Sequence, residues 1–170
     1  MVRQLQQRLR EMQLISRMQS LPERFNSTQE LAAESLNLVC ANFTVQVGML
    51  HHYTADGWQE WACVGKTLPQ QQIDGYLAHL KSNHSLWVDN TFCSKGEDGK
   101  RATYNAVVSI PIFVDEHLYG ALTLCSFNSN RYFDRQAQDT LNLICSQLGS
   151  QLQQLQHREN LLKMFQQHLK

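Results

Sequence analysis

The stretch NAVVSIPIFVDEHLYGALTLCSF, residues 105–127, constrains the fold of this chain more than any other. Two nearly unbroken apolar runs flank the short polar turn Asp115-Glu116-His117. Successive strand side chains point to opposite faces, so a strand apolar at every position must be covered on both sides. The expected element is an antiparallel hairpin at the centre of a sheet, with one layer above it and one below.

The rest of the chain supplies those layers. TVQVGMLHHY alternates, ADG turns and WQEWACVG alternates again, which predicts a second hairpin. SLWVDN reads as a short strand and LPQQQIDGYLAHLKSN as a short helix. The polar, glycine-bearing segment TFCSKGEDGKRATY has no period and reads as an exposed loop. Before the strands, Leu5, Leu9, Met12, Ile15 and Met18 recur at helical steps, and Pro22 interrupts them. A second helix starts at Ser27 or Thr28, with Glu30 close behind, and carries Leu31, Leu38, Val39 and Phe43. After the strands, Asp134 caps a final helix that runs towards Lys170. The fold class expected is α+β: an antiparallel sheet with the terminal helices on one face, and a short helix and loops over a pocket on the other. Three regions follow: 1–26 as helix and linker, 27–150 as the domain, and 151–170 as a helical extension.

Composition excludes several classes of function. Lys+Arg and Asp+Glu both total 15, and this balance argues against nucleic acid or an anionic membrane surface as partner. No apolar run approaches the ~18 residues of a membrane span, and the start of the chain lacks the apolar core of a secretory signal, so a cytoplasmic location is expected. The 5 cysteines include no C-x-x-C pair and sit mostly in apolar segments, as reduced, buried thiols do. The 7 histidines do not fall at metal-ligand spacing: His51 and His52 point to opposite faces of a strand, and His79 and His84 miss the i, i+4 step. No metal site is expected, and no cofactor is indicated.

The final helix carries leucines at 141, 148, 155, 162 and 169, seven residues apart. With these at d, the a positions are Cys145, Leu152, Glu159 and Gln166. Leucine at d suits a two-stranded coiled coil, and the two polar a positions weaken its distal half. Leu141, Leu148, Leu152, Leu155, Leu162 and Leu169 are therefore the expected seam of a homodimer, which the N-terminal helix could join in a four-helix bundle.

Residues SIPIFVDEHLYGALTLCSF, followed by Phe133-Asp134 and an apolar helix, resemble the last strands of the GAF domain family. The resemblance spans roughly residues 27–150 and agrees in element order. It implies a bacterial sensory domain that dimerises through terminal helices, binds a small molecule between its sheet and the outer helix and loops, and adjoins an output domain in the same chain. An ending inside a helix is expected of a piece of a larger signalling protein. The sequence departs from two branches of the family. None of its cysteines precedes a histidine, as bilin attachment favours, and no Asp-Glu pair follows Asn130, Arg131 and Phe133 as in cyclic-nucleotide binders.

Alternation nominates the residues of the pocket. Tyr119, Ala121, Thr123 and Cys125 share one face of the last strand, opposite Leu118, Gly120, Leu122 and Leu124. Val107, Ser109, Trp61 and Cys63 join Thr123 and Cys125, with Tyr76, His79, Trp87 and Phe92 as a roof. Such a lining suits a small-molecule site, and it equally suits a second small core. The functional expectation is a non-catalytic dimeric sensor. The alternatives are a thiol enzyme resembling free methionine sulfoxide reductases, working through Cys63, Cys93 or Cys125, and a purely structural dimerisation domain.

Overall fold

A computed structural model of the chain describes residues 2–20, 25, 27–43, 45–65, 69–83, 87–89, 93–95, 101–103, 106–126 and 133–168. Helix α1 spans Val2–Ser20 and α2 spans Thr28–Phe43, followed by β1 (Val47–Thr54) and β2 (Gly57–Val64). Helix α3 (Gln70–Asn83) precedes three short strands, β3 (Trp87–Asp89), β4 (Cys93–Lys95) and β5 (Arg101–Thr103). The apolar hairpin forms β6 (Ala106–Val114) and β7 (His117–Ser126), and α4 runs over Arg135–His168.

The sheet order is β2-β1-β7-β6-β3, so the apolar hairpin is flanked on both sides as its composition requires. Neighbouring strands are antiparallel throughout. Asp115 and Glu116, both at positive φ (51° and 67°), make the two-residue turn of the hairpin. The segment expected as an exposed loop is corrected in part: β4 and β5 pair as a separate two-stranded ribbon, Cys93 opposite Thr103. Three-residue strands with mixed polarity leave no period to read.

The sheet separates two cores. On one side, Leu50, Val108, Ile110, Ile112, Leu122 and Leu124 meet apolar residues of α1, α2 and α4. On the other, Val47, Met49, Val107, Ala121 and Cys125 meet Ile73, Tyr76, Leu77 and Leu80 of α3. This is the expected division, with the terminal helices on one face and the short helix on the other.

Local chemistry sets the helix boundaries. Asp134 is the N-cap of α4, where its Oδ1 accepts the Ala137 N–H at 2.8 Å and its carbonyl takes the first helical bond from Gln138. The Ser27 carbonyl accepts from the Leu31 N–H at 3.0 Å, which makes Ser27 the cap residue of α2. Helices α1 and α4 run parallel: Thr140 Oγ1 donates to Glu11 Oε2 at 2.9 Å, and further along Gln151 Nε2 donates to the Met18 carbonyl at 3.1 Å.

The heptad leucines are placed differently from the expected seam. Leu141, Leu148, Leu152 and Leu155 are at most 1 % exposed and belong to the chain's own core, under α4. Side chains already withdrawn from water gain nothing further from a second copy, so over this length the stripe is intramolecular. The stripe surfaces only afterwards, with Leu162 58 % exposed. Leu169 lies outside the described residues.

Candidate functional site

The face of the sheet beneath α3 gathers most of the nominated pocket residues. Val107 on β6 and Cys125 on β7 pair across the hairpin, as do Ser109 and Thr123, and all four are buried. Ser109 and Thr123 share a hydrogen bond at 2.9 Å between hydroxyls that would otherwise be stranded in an apolar layer. Tyr76 comes down from α3 and its hydroxyl accepts from Gln72 Nε2. Cys63, opposite Met49 on β1, sits on the same face at an exposed position of the outer strand. The backbone of Trp87 pairs with Ser109 at the sheet edge, which places it in β3 beside this face; its side chain and all of Phe92 lie outside the described residues.

Trp61 is a correction. It packs against the core on the opposite side, under the terminal helices. Leu50 pairs with Ala62 and His51 with Glu60, so Trp61 is the extra residue of a β-bulge and alternation fails there. The same device re-aims Tyr119 on β7, because Ile112 pairs with Gly120 and Phe113 with Leu118. Both rings close on His52, which stacks on Trp61 at 4.3 Å and lies 4.7 Å from Tyr119.

The residue on the α3 face that the nominations omitted is His51. It is 6 % exposed, and its Nδ1 is buried with no hydrogen-bond partner. Burial lowers its pKa, opposed by the carboxylates of Glu60 and Asp74. Alternation carried two residues on from Met49 finds it. The imidazole there keeps one buried polar nitrogen without a partner.

The buried thiols on either side of the sheet are held protonated. Burial pushes the Cys125 thiol up to about 12, and Cys40 on the other side up to about 11. Neither is a thiolate near neutrality, and the thiolate is the nucleophile. Among the described residues, no group of three or more His, Cys, Asp or Glu side chains comes together to hold a metal ion. None of the helices searched among them is long and apolar enough to cross a membrane. A groove of about 270 Å³ lies elsewhere, between α1 and α2, lined by Arg10, Arg17, Leu38 and Asn42 among others.

Known structures share this architecture. A GAF domain from Pseudomonas syringae pv. tomato, described as part of a sensor histidine kinase, superposes with a TM-score of 0.67 at 19 % identity, covering 94 % of this chain and 98 % of that one. The GAF domain of an Acinetobacter phosphoenolpyruvate-protein phosphotransferase gives 0.68 at 15 % identity, over 89 % and 95 %. Free methionine-R-sulfoxide reductase from Neisseria meningitidis gives 0.69 at 11 % identity, over 87 % and 91 %. Among curated proteins, none matches the chain. The GAF domain model matches residues 26–153, most of the chain and every strand of the sheet, and the protein belongs to the GAF domain family.

Proposed function

We propose that this GAF domain, a sensory and regulatory fold of signalling proteins, works as a dimer that takes up a small molecule under α3 and relays the event along α4 to an output domain. The observation that carries the ligand reading is His51. A buried, unpartnered nitrogen costs about 1–3 kcal/mol, and a ligand that hydrogen-bonds to it recovers that cost. The Ser109–Thr123 pair beside it can reorganise to meet a second polar group. The apolar remainder of the face, Met49, Val107, Leu77 and Leu80, suits a compact, partly apolar molecule rather than an extended polar one.

The dimer reading now rests on other residues than the heptad leucines. Val2, Leu5, Leu9 and Met12 are 69, 66, 56 and 67 % exposed on α1, on the side away from its buried Glu11, Leu14 and Met18. Their 3-4-3 spacing is that of a coiled-coil seam. The Cys125 thiol under α3, buried and held protonated, supports a regulatory reading over catalysis at that sulfur.

Native mass spectrometry of the purified protein tests the ligand reading, alongside thermal shift against a small-molecule set. Binding that is lost in His51→Ala and in Ser109→Val supports it. A protein that carries nothing, and that no compound stabilises, points instead to a filled second core. Turnover of free methionine sulfoxide that disappears in Cys63→Ser would replace the regulatory reading with an enzymatic one.

A further inference from the structure

Glu159 falls at a polar position of the heptad pattern and looks like a defect in a zipper. Its actual partner is 131 residues away: Glu159 Oε1 accepts the backbone N–H of Thr28, the first residue of α2, at 2.6 Å. Carboxylates are favoured at helix N-termini, where amides lack intrahelical partners and the dipole is positive. Thr28 is 6 % exposed and its hydroxyl is buried without a partner; its amide, which no intrahelical carbonyl serves, is met by Glu159.

One turn earlier on α4, Gln156 Oε1 accepts the hydroxyl of Tyr119 at 2.6 Å. Tyr119 stands on the β7 bulge and leans on His52, which leans in turn on Trp61 of the β2 bulge. The two bonds share one neighbourhood. The Tyr119 hydroxyl is held protonated by its burial and, secondarily, by the Glu159 carboxylate nearby. Just before this point Leu155 is fully within the core, and just after it Leu161, Leu162, Met164 and Phe165 are 48–69 % exposed.

We propose that the Tyr119–Gln156 and Thr28–Glu159 bonds form a single latch that fixes where α4 becomes free helix, and that strand β7 operates it through Tyr119. Closed, the latch ties α4 to the sheet and to the start of α2 together. Open, it frees α4 from Gln156 onwards, on the order of 20 Å of helix. Strand β7 reaches both sides of the sheet, presenting Thr123 and Cys125 to α3 and Tyr119 to α4. The latch does not depend on a ligand under α3, although that reading supplies one way to move β7.

Amide hydrogen exchange on the full chain tests this with two variants. Tyr119→Phe keeps the ring against His52 and removes only the hydroxyl; Glu159→Ala removes the cap. In a single latch, each variant speeds exchange about tenfold over both Thr28–Leu31 and residues 157–166. Exchange over Leu141–Leu152 and the β6–β7 pair stays at the wild-type rate. The diagnostic result is Tyr119→Phe loosening the start of α2, which the lost hydroxyl does not touch. The proposal is overturned if each variant loosens only the segment at its own bond, if neither segment changes, or if all amides speed up together. Should Glu159→Ala fail to fold, the same readings on Tyr119→Phe decide alone.

Discussion

Gly149 shows how closely α4 lies on the sheet. A Cβ at that position would stand 2.6 Å from Ile112 Cγ2 and 3.0 Å from Val114 Cγ2. Alanine is the better helix former by about 1 kcal/mol. Both methyls, however, sit on stiff β-branched side chains, and overpacking a core typically costs about 1–3 kcal/mol. The steric cost is expected to win, and Gly149→Ala should lower stability by roughly 1 kcal/mol in urea unfolding instead of raising it. His52 gives a second prediction at this scale. Burial lowers its pKa from the ordinary 6.5, with no carboxylate opposing, so the folded chain binds a proton less readily than the unfolded one. Above about pH 7 both states are neutral and the histidine is silent. As pH falls through 6.5 the unfolded state gains its proton first, and stability is lost until the folded state also titrates, at no more than about 1.4 kcal/mol per pH unit. The melting temperature should therefore fall between pH 7.5 and 5.5. His52→Phe, which keeps a ring between Trp61 and Tyr119, should flatten that fall; an unchanged slope would assign it to other groups, His51 first among them.

At the scale of elements, the leucines of α4 change role along one helix. Leu155 is 1 % exposed and Leu162 is 58 % exposed. Leu155→Ala should cost about 2–5 kcal/mol in chemical unfolding and Leu162→Ala less than about 0.5 kcal/mol; equal effects would mean that the distal turn also packs on the domain. The spacing of seven was legible in the sequence, but what it packs against was not, because a heptad stripe serves a sheet, a neighbouring helix or a second chain alike. The faces of the central strands were also legible. Val107, Ser109, Thr123 and Cys125 lie under α3 as their alternation requires, while Leu122 and Leu124 lie under the terminal helices. Alternation failed at Trp61 and Tyr119 for one reason. A bulge inserts a single residue and reverses the phase, and nothing in the local composition marks where the insertion falls. The cap at Asp134 is a local signal and could be read directly; Glu159 capping α2 joins positions 131 apart and could not. His51 lay within reach of alternation, but its missing partner is a property of the packed site.

At the scale of the whole molecule, α1 and α4 run parallel on one side of the sheet and extend from it in opposite directions. Glu11 meets Thr140 five residues into α4, so the first residues of α1 reach past the start of α4. The last turns of α4 leave at the other end, beyond the contact between Glu159 and Thr28. A movement entering along one helix and leaving along the other crosses the whole domain, and a second copy aligned on the same stripe would double the path. A pairing through the outward stripe of α1 would be a marginal one. Val2, Leu5, Leu9 and Met12 on two copies could together contribute on the order of 10 kcal/mol, against an association cost of about 4–15 kcal/mol. A balance this close would make such a dimer dependent on concentration and sensitive to one charge at its centre. Leu9→Glu would set two carboxylates against each other in the seam, while Leu9, 56 % exposed, contributes little to its own fold. Sedimentation equilibrium should show the wild type passing from monomer to dimer with rising concentration, and Leu9→Glu staying monomeric with a melting temperature within a few degrees of the parent. A Leu9→Glu protein that dimerises like the wild type would move the seam off α1, and Leu162→Glu would then be the next variant to sediment.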